Sequence, residues 1–146
     1  MSDTQLIAEN KEIVRKLPEA VISKGHLDLI DEIIADDYVG YNSAVPEPIR
    51  GPDGVREYVT NLRRAVPDIT CGVEDLIAEG DMVVRRDRAT GTVEGEFMGV
   101  DGGGTEAVVE GNHIHRLEDG QIVESWGQND ILGLLIQLDA FEPPGE

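Results

Sequence analysis

The chain is poor in cysteine, lysine and aromatic residues. Of its 146 residues, one is cysteine, three are lysine and six are Phe, Tyr or Trp. The single cysteine, Cys71, excludes a disulfide framework and a site built from several thiolates, and it favours a reducing compartment. No segment approaches the ~18 consecutive apolar residues of a membrane span. The first residues also lack the basic and apolar parts of a signal peptide. We therefore expect a cytoplasmic protein without a membrane partner.

Positive charge is also scarce. The chain has 12 Lys and Arg against 30 Asp and Glu, which gives a formal net charge of −18. This balance excludes the basic clusters that bind nucleic-acid phosphates. The carboxylates are spread along the chain, and apolar periodicity persists between them, unlike in a disordered acidic protein. We predict a folded, salt-adapted domain, because high ionic strength screens the repulsion among its charges.

Apolar spacing predicts helices in the first half of the chain and strands in the second. Pro18 should kink or split the first helix, and Gly25 should end it. The predicted helices are 4–23, 27–34, 52–65 and 131–138. The predicted strands are 38–42, 69–78, 82–96, 106–117 and 121–128, with a flexible glycine-rich loop at 97–105. This order indicates one α+β domain over residues 1–146, in which helices cover one face of a curved antiparallel sheet of four or slightly more strands.

The segment 110–138 is the most informative part of the chain. Its two strands flank the Asp119-Gly120 turn, which is a hairpin signal. His113 and His115 are two residues apart on one strand and therefore share a face. On the concave side of a sheet, His113 could titrate near neutrality and transfer protons. The alternative for His113 is a core histidine that holds a backbone carbonyl, and His115 is expected to pack.

Two further residues in this segment are candidates for the same site. Trp126 would give a ligand a flat apolar wall. Asp130 could supply a carboxylate at the mouth of a cavity, or it could cap the closing helix.

A charged run interrupts the strand that begins at Met82. Alternation places Arg86 and Arg88 on one face and Arg85 and Asp87 on the other. An inward arginine beside a carboxylate would be a buried pair or an anion clamp, whereas outward pairs are ordinary surface contacts. We predict surface or oligomer contacts for most of this run and a pocket position for Arg86.

Several blocks of sequence occur in an order that resembles the SnoaL-like polyketide cyclase family. This family belongs to a superfamily of cone-shaped α+β barrels that includes ketosteroid isomerase and scytalone dehydratase. The blocks are KGHLDLIDEIIADDYVGYN, GPDGVREYVTNLRRAVPDI, VEDLIAEGDMVV, GEFMGV and HRLEDGQIVESWGQNDILGLLIQL. The resemblance implies a conical cavity between three N-terminal helices and the sheet. It also implies a homodimer formed through the outer face of the sheet.

The resemblance carries expectations about chemistry. Characterised cyclases of this type use no metal or cofactor, and a carboxylate removes a proton alpha to a carbonyl before an intramolecular aldol closure. The family's pocket histidine falls on His113, whereas its catalytic aspartate falls on Gly127, which has no side chain. Tyr41 and Asn42 lie where relatives often carry polar pocket residues, so they could bind a ligand carbonyl, although Asn42 could equally serve a turn.

Two classes of function remain open from the sequence. The first is a cofactor-free acid–base enzyme for a small hydrophobic carbonyl compound, with His113 and Asp130 as catalytic residues. The second is a non-catalytic domain that binds a small molecule. His113 favours the first class and Gly127 the second. An epoxide-hydrolysing relative would need an Asp–Arg–Asp arrangement, which the adjacent Arg86 and Asp87 disfavour because they face opposite ways.

Overall fold

The computed structural model describes residues 2–145. In this part of the chain the α-helices are α1 (Asp3–Lys16), α2 (Ile30–Ile33), α3 (Gly51–Ala65) and α4 (Ile131–Gln137). The strands are β1 (Ile34–Asn42), β2 (Ile49–Arg50), β3 (Thr70–Glu79), β4 (Met82–Val93), β5 (Glu96–Phe97), β6 (Val100–Asp101), β7 (Thr105–Glu118) and β8 (Gln121–Asn129). The predicted α+β class is confirmed.

Proline and glycine shape the N-terminal region as the sequence predicts. Helix α1 ends at Lys16, and the chain continues as one π-helical segment, Leu17–Ile22, with Pro18 in its first turn. Proline has no N–H to donate to the preceding turn, so the regular ladder cannot pass through it. Gly25 has φ 73° and stops the helical path, since this conformation is costly for other residues.

The main sheet is larger and more mixed than expected. Six strands lie in the order β2-β1-β8-β7-β4-β3, and β1 pairs with β8 in parallel, whereas the other pairs are antiparallel. The prediction of an antiparallel sheet was therefore wrong for the β1–β8 pair. Strand β1 begins at Ile34 and not at Tyr38, because the run from Ile34 to Asp37 has no alternation that distinguishes it from the preceding helix.

The predicted hairpin turn is present, whereas the predicted flexible loop contains regular structure. Asp119 and Gly120 both have positive φ, as a tight two-residue hairpin turn requires, and the predicted β7–β8 hairpin is present. The segment expected to be a flexible loop instead contains the short β5–β6 ladder, in which Phe97 pairs with Val100. No helix within residues 2–145 is long and apolar enough to cross a membrane.

Successive side chains along each strand of the sheet alternate between the concave face and the outer face. The concave face packs against α1, α3 and the π-helical segment, with Val14, Val21 and Val59 almost fully buried in the core. In β4 the buried residues are Val83, Arg85, Asp87 and Val93, and between them Arg86 and Arg88 are exposed. The pleat thus directs adjacent arginines to opposite sides of the sheet.

Candidate active site in the concave face

A cavity of about 150 Å³ lies between the helices and the concave face of the sheet. The helical segments supply mainly apolar walls, among them Leu17, Val59, Leu62 and Leu134. The sheet supplies most of the polar groups: Arg85, Asp87, His113, His115, Ser125 and Asn129. A mostly apolar cavity with a few convergent polar groups is the usual form of a small-molecule site.

A buried ion pair occupies the β4 wall of the cavity. Arg85 is 3% exposed and Asp87 is 4% exposed, and the Arg85 Nη1 contacts the Asp87 Oδ2. Burial raises the pKa of Asp87, while the Arg85 cation acts in the opposite direction. Among the described residues, Asp87 is the only carboxylate that lines the cavity. It is therefore the site's candidate for accepting a proton.

The Cys71 thiol lies beside this carboxylate. Its Sγ donates a hydrogen bond of 3.5 Å to the Asp87 Oδ2. Burial, followed by the negative charge of Asp87, raises the pKa of Cys71 to about 12. The thiol therefore stays protonated at neutral pH and gives no thiolate nucleophile.

His113 reaches the cavity from β7 but does not titrate near neutrality. Its Nε2 lies 3.6 Å from the Asp87 Oδ1. Burial and the Arg85 cation lower the pKa of His113 to about 3, against a hydrogen bond with Asn129 that raises it. The pocket position agrees with the sequence-based prediction, but the expected titration was wrong. A sequence does not reveal that the ring is buried beside an arginine.

The imidazole of His113 also occupies the space beside Gly127. These two residues are direct partners across β7 and β8. A Cβ at position 127 would lie 2.5 Å from the His113 Nδ1 and 2.9 Å from its Cε1, closer than real Cβ contacts allow. The space beside position 127 is thus filled by a ring from the neighbouring strand.

His115 does more than pack. It is fully buried, and its ring is stacked with that of His113 at a centroid distance of 6.4 Å. The His115 Nε2 accepts a hydrogen bond of 3.0 Å from the Arg85 Nε, and its Nδ1 lies 2.6 Å from the Ser125 Oγ. Burial and the Arg85 cation lower its pKa well below the usual value, so the ring is neutral.

Asn42 lies in the cavity wall and serves the predicted turn. Its Oδ1 accepts from the backbone N–H of Ala44, which holds the turn, and from the Asn129 side chain at 3.1 Å. Its Nδ2 donates to the Tyr58 hydroxyl at 3.3 Å. Tyr41 borders the cavity but remains 46% exposed, so it lies at the rim.

Three predicted site residues lie elsewhere. Arg86 is exposed and pairs with Asp75 on the outer face at 2.7 Å. Trp126 is next to the inward Gly127, and the two-residue period of the strand turns it outward, where it pairs with Ile114. Asp130 is exposed and caps α4, because its Oδ1 accepts a hydrogen bond of 2.9 Å from the Gly133 N–H.

The structure also corrects the argument about an Asp–Arg–Asp arrangement. The sequence-based reasoning paired Asp87 with Arg86, whereas the actual partner is Arg85, two residues away on the same face. A second Asp or Glu is still absent from the cavity lining within the described residues. These residues also contain no group of three His, Cys, Asp or Glu side chains that could hold a metal ion.

The residues that the sequence did not identify are Arg85, Asp87, Tyr58, Ser125 and Asn129. For the first two the signal was present, since Val83 and Ala89 share their alternation and both are apolar. The other three are single polar residues in an otherwise apolar pattern, which does not indicate whether their side chains face the cavity.

Solved structures share this fold. A proposed SnoaL-like polyketide cyclase from Jannaschia sp. CCS1 is 25% identical, with a TM-score of 0.84 and coverage of 99% of each chain. IdmH from Streptomyces antibioticus, a proposed polyketide cyclase, is 30% identical, with a TM-score of 0.76 over 89% of this chain and 98% of IdmH. AclR from Streptomyces galilaeus, a proposed hydroxylase, is 27% identical, with a TM-score of 0.81 over 96% of this chain and 91% of AclR.

Sequence comparison leads to the same family. No curated protein matches the chain. The family model described as SnoaL-like polyketide cyclase matches residues 12–138, which include every strand of the main sheet. The chain belongs to the SnoaL-like polyketide cyclase family.

Proposed function

We propose that the protein is a cofactor-free acid–base enzyme, of the cyclase or isomerase type, that acts on a small neutral carbonyl compound. The observation that carries this proposal is the position of Asp87. Its carboxylate is buried in the cavity wall, ion-paired with Arg85, and 3.6 Å from the neutral His113 ring. In this proposal Asp87 replaces both Asp130 and the missing family aspartate as the base.

Asp87 has the properties of a general base. Burial raises its pKa, which makes the carboxylate more basic than one in water, and the Arg85 cation favours its ionised form. Proton transfer would break a C–H bond alpha to the substrate carbonyl. The proton would move to a carboxylate oxygen of Asp87, and the electron pair to the carbonyl oxygen. The resulting enolate could then recover the proton at another carbon or attack a second carbonyl.

Neutral donors around the cavity could stabilise the developing negative charge. The imidazole of His113 carries one N–H at neutral pH, because its pKa is about 3. Burial raises the pKa of Tyr58, so its hydroxyl keeps its proton, and Asn42 adds an amide beside it. Preorganised donors of this kind are a large contribution to enolate-forming catalysis.

Charge and size define the class of substrate. The positive charge of Arg85 is balanced by Asp87, and both buried histidines are neutral, so the cavity lining within residues 2–145 offers no free cation to an anion. The net charge of −18 also repels anions at long range. An apolar cavity of ~150 Å³ holds one benzene ring. We therefore expect a neutral ligand of about one ring.

Deuterium exchange tests the proposed chemistry without knowledge of the natural substrate. Cyclohexanone is incubated with the protein in deuterated buffer, and the loss of its alpha protons is followed by ¹H NMR. Asp87→Asn should lower the protein-dependent exchange rate by about 10²-fold or more. Asp75→Asn, on the outer face, is the matched control and should exchange like the wild type. Equal rates for the wild type and Asp87→Asn would overturn the assignment of the base.

A second variant separates the roles of Asp87 and His113. His113→Asn retains an N–H donor but removes the imidazole. Because His113 is a weak base with a pKa of about 3, this variant should keep measurable exchange, unlike Asp87→Asn. Complete loss of exchange in His113→Asn, with Asp87→Asn active, would make His113 the base, as the sequence alone suggested.

The second candidate function is a non-catalytic binding domain. The observations that favour it are the absent side chain at Gly127 and the involvement of Asp87 in an ion pair. Saturable binding of cyclohexanone by calorimetry, without any protein-dependent exchange, would support this candidate.

The outer face of the sheet supports the proposal of a homodimer. Five apolar side chains form one row across five strands, each paired in register with the next. The row is Tyr41, Trp126, Ile114, Val84 and Ile77. A self-complementary row suits the isologous interface of a two-fold dimer. Light scattering should give a dimer mass for the wild type and a monomer mass for Ile114→Glu. A wild-type monomer in high salt would contradict this proposal.

A further inference from the structure

The guanidinium of Arg85 is held at two points. Its Nη1 contacts Asp87, and its Nε donates a hydrogen bond of 3.0 Å to the His115 Nε2. A hydrogen bond from Nε restricts rotation of the guanidinium plane about the side-chain axis, because the group is planar and rigid. The orientation of the cation against Asp87 therefore depends on His115.

The hydrogen bonds define the protonation of His115. Arg85 can only donate, so the His115 Nε2 is the unprotonated nitrogen. In a neutral imidazole the other nitrogen carries the proton, and the Nδ1 of His115 therefore donates to the Ser125 Oγ at 2.6 Å. If the ring held its proton on Nε2 instead, two N–H groups would face each other beside Asp87.

Ser125 holds His115 from the next strand. The Ser125 Oγ accepts the Nδ1 proton of His115. Ser125, His115 and Arg85 lie on β8, β7 and β4, three adjacent strands.

We propose that His115 and Ser125 are positioning residues that form a hydrogen-bond relay across three strands and hold the Arg85 guanidinium against Asp87. The proposal rests on the proposed function only where it concerns the use of Asp87 as a base. The relay itself is defined by buried side chains: His115 is 1% exposed and Ser125 is 6% exposed. Direct contact with a substrate is not required of either residue.

Loss of the relay should be detectable at Asp87. The titratable or charged groups that face Asp87 are Arg85 on its own strand, Cys71 on β3, His113 on β7 and Tyr58 on α3. Of these, Arg85 is the cation at neutral pH. When its guanidinium turns away, burial alone acts on the carboxylate, and Asp87 should hold its proton to higher pH.

The first experiment uses the wild-type protein and reads the imidazole nitrogens of His115 by ¹⁵N NMR. The relay requires a proton on Nδ1 and none on Nε2. Ser125→Ala removes the acceptor of the Nδ1 proton, so an Nε2-protonated population should appear. A wild-type ring protonated on Nε2, or on both nitrogens at neutral pH, would overturn the proposal.

The second experiment follows the carboxyl carbon of Asp87 by ¹³C NMR titration. His115→Leu removes the acceptor for Arg85 and should move the Asp87 midpoint upward. His115→Gln can accept from Arg85 and donate to Ser125, so it should restore the wild-type midpoint. If His115→Leu does not fold, Ser125→Ala should still move the midpoint in the same direction, by a smaller amount.

The outcomes separate this inference from the proposed function. Identical Asp87 midpoints in wild type, Ser125→Ala and a folded His115→Leu would overturn the relay, whatever the exchange rates are. Equal deuterium exchange in wild type and Asp87→Asn would overturn the assignment of Asp87 as the base and leave the relay, which is measured without substrate, standing.

Discussion

Two arginines of β4 form ion pairs with aspartates on opposite faces of the sheet. Arg85 and Asp87 are buried in the cavity wall, whereas the neighbouring Arg86 pairs with Asp75 on the outer face, where both side chains are about half exposed. The chemical groups are the same, but water screens the outer pair and not the inner one. The pleat of the strand, and not the residue type, therefore decides which pair belongs to the site.

The largest expected effect comes from removal of the inner arginine. Arg85→Met leaves Asp87 buried without its cation and should lower the free energy of unfolding by about 3–5 kcal/mol. Arg86→Met, on the exposed face, is the matched control and should leave stability unchanged. Denaturant unfolding of both variants measures the difference, and equal stabilities would contradict the contrast between the faces.

The next largest effect on stability is expected from a comparison of two glycines on opposite faces of the sheet, Gly127 and Gly72. Gly127→Ala would place a methyl group against the His113 ring and should cost about 1–3 kcal/mol of unfolding free energy through overpacking. Gly72→Ala on β3 is the control, because a Cβ there meets nothing within 4 Å. A Gly127→Ala variant as stable as Gly72→Ala would show that the ring does not fill this space.

The buried histidines should make the fold sensitive to acid. The pKa of His113 is about 3 in the fold, against 6.5 for the free side chain. Between pH 3 and pH 6.5, His113 is protonated in the unfolded chain but neutral in the folded protein. Stability should therefore fall as pH decreases below 6.5, by about 1.4 kcal/mol per pH unit for each such histidine.

The measurement is urea unfolding between pH 7 and pH 4 in high salt, which screens the surface carboxylates. His113→Asn removes one contribution, so its stability should decline less steeply than that of the wild type. His26→Asn, at an exposed position, is the control and should keep the wild-type slope. Parallel curves for wild type and His113→Asn would contradict a buried neutral ring.

Much of the fold was predictable because its signals are local. Pro18, Gly25 and the Asp119-Gly120 turn mark chain breaks by their own conformational limits, and the structure follows them. The parallel pairing of β1 with β8 was not predictable, since it joins residues more than 80 positions apart. The local sequence pattern predicts individual helices and strands, whereas the pairing of strands that are distant in sequence depends on tertiary packing.

The site was predictable only where a residue stood out. His113 was found because a pair of histidines on one strand is rare, and Asn42 because of the family resemblance. Arg86 was predicted for the pocket in place of Arg85, because alternation separates the two faces of the strand and the inner one was wrongly chosen. Trp126 was predicted as a cavity wall from its large ring, but it lies next to the inward Gly127 and therefore faces outward.

The smallest expected effect is that of salt on stability, through the charges of the protein surface. The net charge of −18 should make the fold less stable in dilute buffer than in molar KCl, because salt screens the repulsion among carboxylates. Thermal unfolding across KCl concentrations measures this effect. Equal stability in low and molar salt would contradict salt adaptation.

The most direct test of the inner face as the binding site is to locate a neutral ketone on the protein. Methyl NMR signals are recorded during titration with cyclohexanone, with benzoate as the anionic control of similar size. The account predicts that cyclohexanone shifts the methyl signals of Val59 and Leu134, which line the cavity, and leaves Ile77 and Ile114 on the outer face unchanged, while benzoate shifts neither pair. Shifts confined to Ile77 and Ile114, or equal shifts of the cavity signals by benzoate, would contradict it.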